Sequence, residues 1–349
     1  MDKRFFVLTG LLLMLLACNI GTSTPTPTTD LFATLSASTP VEGNPAVTES
    51  AQIATSVFLP TPIPPTAAPG SSSTGQPTGR IVYTCEMFKT ESTSQVCIIN
   101  ADGTGFRRLT TDDARQHNYP SLSPDGRSVI YSAHREAKFF EIYEMNLASG
   151  NVTQLTNKLG GLGSPEISPD GKSIIFKRMA VNTGKNFIWW MRRNGGDADK
   201  IMRFEGWDPT WSPDGEYVLF VSNMDGPVQL FRSRFNGNDL HRVSSLFVGG
   251  RADWSPDGHW IVTYTGDPGN REIYIMTADG LNPRVISPAG GNSREPSFSP
   301  DGQWIAFTAY YDHLGDANGC EIYIVRTDGT DLRRLTDNGY CDSQPRWGQ

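Results

Sequence analysis

Long apolar stripes of helical period are missing from this chain, which argues against a helical bundle. A basic bias is missing too: the formal net charge is −7 over 349 residues. With no basic stripe to offset that balance, a binder of nucleic-acid backbones is not expected. No G-x-S-x-G stands anywhere, so no nucleophile elbow is on offer. No C-x-x-C is present to suggest a redox or metal pair, and no H-x-x-x-H to suggest a tight metal clamp. What the chain does have is turn chemistry, with 35 glycines and 24 prolines. Many turns with unexceptional apolar content point to an all-β fold.

The first seventeen residues, MDKRFFVLTGLLLMLLA, read as an address. Lys3 and Arg4 form a positive end, and Phe5 to Leu16 is an apolar core short for a bilayer span. Ala17 then precedes Cys18. The stretch Leu15-Leu16-Ala17-Cys18 resembles the lipobox of bacterial lipoproteins. That resemblance implies cleavage before Cys18 and acylation of it, and two or three acyl chains suffice for stable anchoring. Loss of residues 1–17 would leave 28 basic against 36 acidic residues, a mature charge of −8. Residues 18–78 follow as the lipidated cysteine and a tether rich in Thr, Pro, Ser and Ala, as in TSTPTPTT and LPTPIPPTAAPG. Between Asn19 and Thr78 there is no Lys or Arg. Such a composition cannot offset its ordering entropy by burial, so a disordered spacer is expected, spanning roughly 40–50 Å or more.

From Gly79 to Gln349 the chain repeats. SPDG recurs at Ser123, Ser168, Ser212, Ser255 and Ser299, with spacings of 45, 44, 43 and 44 residues. A strand-rich period near 44 is the signature of propeller blades. Each SPDG is a tight turn: proline presets φ, aspartate bonds its own backbone, and glycine takes a positive φ. Apolar runs follow (SVIYSA, SIIFKR, YVLFVS, WIVTYT, WIAFTA), too continuous for a half-exposed sheet. A third strand and a second turn come next, as at Asn236-Gly237, Asp279-Gly280 and Asp328-Gly329. The C-terminal QPRWGQ matches a first strand, whereas GRIVYTC at Gly79 is a second strand without one. The two ends therefore complement each other. The reading is a six-bladed β-propeller of four-stranded blades, closed by the C-terminal strand joining the first blade.

The PxWSPDGxxIxFxS…EIYxMxxDG…LT pattern resembles the propeller repeat of the TolB C-terminal domain and its relatives, over about 270 residues. TolB proteins carry an N-terminal α/β domain that docks in the Tol–Pal system, and here the tether stands in that place. Tricorn and prolyl oligopeptidase relatives add a hydrolase domain after similar blades, and this chain stops at the closing strand. The resemblance therefore implies the fold and leaves function to the site.

The SPDG and DG turns belong on one face of the ring and the variable loops on the other. One residue of each blade, just before the first-strand proline position, should sit near the central channel: Tyr119, Ser164, Asp208, Arg251, Glu295 and Gln344. No two agree, so they read as the lip of a binding funnel. Trp207, Arg294, His117, His134 and Arg135 should share that face. So should Tyr310, Tyr311 and Asp312, in the long AYYDHLGDANGC loop, as an exposed contact element. His117, His134 and His313 could in principle hold a metal, but their spacing gives no support, and no metal or cofactor is expected. Asp208 and Glu295 are candidates to face each other across the channel. With Cys18 lipidated, four cysteines remain, an even number that suits disulfides outside the cytoplasm. The favoured pairing is Cys85–Cys97 with Cys320–Cys341; Cys85–Cys341 is the rival.

The expected protein is a monomeric, lipid-anchored, extracytoplasmic binder of a protein, peptide or glycan, on the surface or periplasmic side of a bacterial membrane. The alternatives are a carbohydrate-active lyase or hydrolase using the same funnel, and a scaffold of an envelope complex.

Overall fold

The computed structural model describes residues 75–87, 93–134, 139–316 and 319–349. The signal segment, Cys18, residues 19–74 and Arg135 lie outside them. The described chain forms six four-stranded antiparallel sheets. Blade one takes its inner strand from the C-terminus: Asp342–Gly348 pairs with Arg80–Cys85, which pairs with Gln95–Asn100 and then Arg107–Arg108. Blades two to six start at His117–Leu122, Leu162–Ile167, Trp207–Trp211, Asp253–Trp254 and Arg294–Phe298, each followed outward by three consecutive strands. The inner strands touch their neighbours all the way round, so the ring is closed. Closure leaves only two- or three-residue outer strands as edges, and all but Val152–Gln154 carry charge (as at Arg107, Arg108, Arg242, Arg333 and Arg334), which discourages edge pairing.

The SPDG turns join first to second strands by a repeated bond set. The Ser123 hydroxyl donates to Asp125 at 2.6 Å and accepts from the Ser128 amide at 2.9 Å. The Asp125 carboxylate takes the Arg127 amide, and Gly126 turns with a φ of 65°. Ser168, Ser212, Ser255 and Ser299 do the same in their blades. The apolar second strands are buried on both faces and pack between blades; Phe220, Phe307 and Trp304 are among the largest fully buried side chains.

Cys85 and Cys97 are joined within blade one, and Cys320 is joined to Cys341. Cys320 precedes the third strand of blade six and Cys341 precedes the closing strand of blade one. The second bridge therefore crosses the seam. This is the pairing favoured from the sequence, not the Cys85–Cys341 rival.

Candidate functional site

The inner strands bulge at one position in each of five blades. Tyr119, Ser164, Asp208, Glu295 and Gln344 have φ between 49° and 57°, a region non-glycine residues rarely enter. The pairing register slips at these points, as between Asn118 and Ser121 or Arg294 and Ser297. A bulge re-aims a side chain out of the ladder, and here it falls on the residue before each proline. These five are five of the six lip residues expected from sequence. Arg251 departs: alanine follows it instead of proline, and its φ is not positive.

Most of the lip is satisfied by itself. The Ser164 hydroxyl donates to Asp208 at 2.8 Å. The Gln344 side-chain carbonyl accepts from the Tyr119 amide and the Thr84 hydroxyl, both at 2.8 Å, while the Gln344 amide donates to Glu295 at 2.9 Å. Burial, with the Asp208 and Glu295 carboxylates nearby, pushes the Tyr119 phenol up to about 12. Burial, with the same two carboxylates, also pushes the Tyr264 phenol up, so both act within one electrostatic neighbourhood.

Arg251 is the exception. It is 3% exposed, and among the described residues all three guanidinium nitrogens lack a hydrogen-bond partner. Burial and the nearby Arg346 lower its pKa to about 10, against the pull of Glu166, Asp208 and Asp253. It remains a cation at neutral pH.

Two residues further along each inner strand lies a second layer, which the sequence reading did not single out. Arg346, on the closing strand, reaches Glu166 of blade three at 2.6 Å and Asp253 of blade five at 3.0 Å. Glu166 also accepts from the Thr210 hydroxyl and the Trp211 amide, and Asp253 from the Ser297 hydroxyl and the Phe298 amide. The usable signal was the repeat itself: the lip position plus two holds Ser or Thr in blades two, four and six, but Glu166, Asp253 and Arg346 in the others.

A cavity of about 440 Å³ lies on the far side of this layer. Glu166, Asp253 and Arg346 line it with the SPDG prolines and the aromatic residues Trp211, Trp254, Phe298 and Trp347. It is therefore on the turn side, whereas the funnel was expected on the loop side.

The loop-side aromatics are tied down rather than freely exposed. Arg294 donates to the Tyr310 hydroxyl at 2.8 Å and lies over its ring. Tyr311 packs edge-on against Tyr323 and donates to the Pro288 carbonyl at 2.8 Å. Asp312 accepts from Tyr323 and pairs with Arg334, both at 2.7 Å. The expectation of an exposed Tyr310–Tyr311 pair is corrected accordingly: both rings are half-buried, because each has a polar partner that folds it down. Trp207 packs against the core shared by blades four and five. His117 is buried against Tyr131, His134 lies beside Phe140, and His313 is exposed. Among the described residues no three His, Cys, Asp or Glu side chains gather as a metal site.

Comparison with known proteins gives a consistent result. The family model described as TolB beta propeller domain matches residues 71–253 and 246–349. An uncharacterized protein of Agrobacterium fabrum is 35% identical over 157 residues, 42% of this chain and 52% of that protein. The Tol-Pal system protein TolB of Desulfosudis oleivorans is 39% identical over 61 residues, 18% of this chain and 13% of that protein. The chain thus spans about half the length of the first relative and much less of the second. Among solved structures, TolB from Acinetobacter baumannii superposes with a TM-score of 0.68 at 25% identity, over 78% of this chain and 67% of that one.

Proposed function

Because the chain belongs to the TolB beta propeller domain family, we propose that it is a non-catalytic protein-binding module of the cell envelope, working outside the cytoplasm. Its two disulfides suit that compartment. The lipobox-like Leu15–Cys18 stretch supports anchoring through lipid on Cys18, with the tether carrying the propeller away from the membrane.

The observation that carries the binding role is Arg251. A buried guanidinium with no partner costs stability, and the rest of the lip is hydrogen-bonded. A partner's carboxylate, from an acidic side chain or a chain terminus, would supply the missing acceptor in a two-pronged, charge-assisted contact once the side chains covering the guanidinium part to admit it. Asp208, Glu295 and the Tyr119 phenol would then face the partner's amides and cationic groups.

The test is calorimetric titration of the full chain with short acidic peptides ending in a free carboxylate, and with their C-terminal amides bearing neutral side chains. Binding of the first set only, lost in Arg251→Met, is expected. Equal binding by wild type and variant, or none by either, would sink the reading. Anchoring is tested separately by fractionating cells that express Cys18→Ser, which should release the protein from membranes.

A further inference from the structure

Blade three breaks the repeat at one place. In every blade the second strand pairs with the third in the same register, so equivalent residues can be compared. The sixth pair counted from the turn side is Cys85–Gln95, Ala133–Glu141, Ser222–Gln229, Thr265–Glu272 and Ala309–Glu321 in five blades. Each joins a small or short residue to an acid or its amide. In blade three the pair is Arg178–Phe187.

The third member of the device changes as well. Thr156 donates to Glu141 at 2.6 Å, Thr336 to Glu321, and Thr110 to Gln95 at 2.8 Å, latching the fourth strand to the third. Ser244 and Ser287 keep a hydroxyl at that position, but blade three has Met202. The polar latch is gone, and a cation and an aromatic ring stand where a methyl and a carboxylate do in blades two and six.

A groove of about 370 Å³ lies there, lined by Arg178, Ala180, Val181, Phe187, Trp189 and Lys200, together with Asn182. The Arg178 guanidinium lies over the Trp189 ring at 4.3 Å, and the Lys200 ammonium over Phe187 at 4.5 Å. The rings immobilise both cations in advance of any ligand. Among the described residues no carboxylate pairs with either cation, and none lines the groove. Glu205, the acid on this rim, is engaged by Lys185 at 3.3 Å. Val181 is 64% exposed at the groove's edge, an apolar flank. Edge protection would account for Lys200 on the outer strand, but not for Arg178 on the second strand, which has neighbours on both sides.

We propose that this groove binds a phosphate ester carried on an apolar body. Two cations lining one groove that no acid lines match a multiply charged oxyanion, and Val181, Ala180 and Phe187 match the body. The volume lies at the small end of the range for ligand pockets, about 300–1,000 Å³. Such an ester has two sources, a soluble metabolite or an anionic phospholipid headgroup.

The experiment uses the full chain carrying Cys18→Ser, so that acylation cannot contribute to vesicle binding. It is titrated with phenyl phosphate, with benzoate, and with vesicles of phosphatidylglycerol in phosphatidylcholine or of phosphatidylcholine alone. Saturable binding of phenyl phosphate, weakened by about tenfold or more in Arg178→Ala and in Lys200→Ala, is expected. Arg178→Ala installs the residue that blades two and six carry, so the blade should fold. Lys172→Ala, which changes an exposed cation elsewhere in the blade, should bind as wild type does. Binding only of phosphatidylglycerol vesicles, with the same loss in the variants, also supports the site and identifies the headgroup as its source. Binding of benzoate as tight as phenyl phosphate would overturn the phosphate assignment. No binding of either phosphate probe, or binding unchanged in both variants, would overturn the site.

Discussion

Arg346, on the strand that closes the ring, holds Glu166 on blade three at 2.6 Å across the channel, with the arginine side chain 5% exposed and the glutamate 15%. The same guanidinium holds Asp253 on blade five at 3.0 Å. One side chain of the closing strand therefore ties together blades one, three and five.

Removing that cation should be costly. Arg346→Met leaves two buried carboxylates without their counter-charge, and a loss of about 3–5 kcal/mol is expected in urea unfolding. Burial already raises the Glu166 pKa despite Arg346. The variant should therefore regain part of its loss as the pH falls and Glu166 takes up a proton.

Arg251→Met should behave differently, although it lies one layer away. No hydrogen bond is lost, and an unpaired buried cation is replaced by an apolar chain. A change in stability within about 1 kcal/mol is expected, with loss of carboxylate binding. Stability and binding, measured side by side, separate the two arginines.

The seam should respond to reduction. Cys320→Ser or Cys341→Ser frees the closing strand from blade six, at an expected cost of about 2–4 kcal/mol. Hydrogen exchange should then rise first in Asp342–Gly348. Cys85→Ser, within blade one, should leave exchange in that strand closer to wild type.

Asp342 gives the protein a pH dependence of defined sign. Burial, with Glu321 and Glu86 nearby, raises its pKa to about 8. The folded state therefore binds more protons than the unfolded state between about pH 4 and pH 8. Its contribution is fully present below that window and is lost as the pH rises through it, by at most about 1.4 kcal/mol per unit. Asp342→Asn should flatten the slope and raise stability at pH 8, read from unfolding curves at pH 5, 6.5 and 8.

The turn chemistry is testable in any blade. Ser212→Ala removes the hydroxyl that bonds Asp214 and the Tyr217 amide. A loss of about 1–2 kcal/mol is expected, and a similar loss should follow Ser299→Ala.

The architecture was readable because it is written locally and repeated. SPDG specifies a turn through bonds within six residues, and the apolar runs after it specify strands that need cover on both faces. The matching of QPRWGQ with GRIVYTC fixed the closure, since a first strand without a second must meet a second without a first. The same register favoured the observed cysteine pairing but left Cys85–Cys341 as a rival.

The site was legible only as positions. The repeat marked Tyr119, Ser164, Asp208, Arg251, Glu295 and Gln344 as channel residues, but which of them is left unpaired depends on atoms contributed by other blades. The Arg346–Glu166 contact spans 180 residues of chain, and the Cys320–Cys341 bridge reaches across the seam. Tyr310 and Tyr311 look like an exposed pair in the linear order, and turn inward because Arg294, at the start of the inner strand of blade six, and Pro288, in the loop before it, offer them partners. By itself the sequence determined turns, strands, their number and their closure, since these follow from short-range backbone preference and periodic burial. Only the tertiary structure decided which charges are satisfied, where the large cavity opens and which blade departs from its repeat in three dimensions. Those depend on side chains that meet only when the ring is closed.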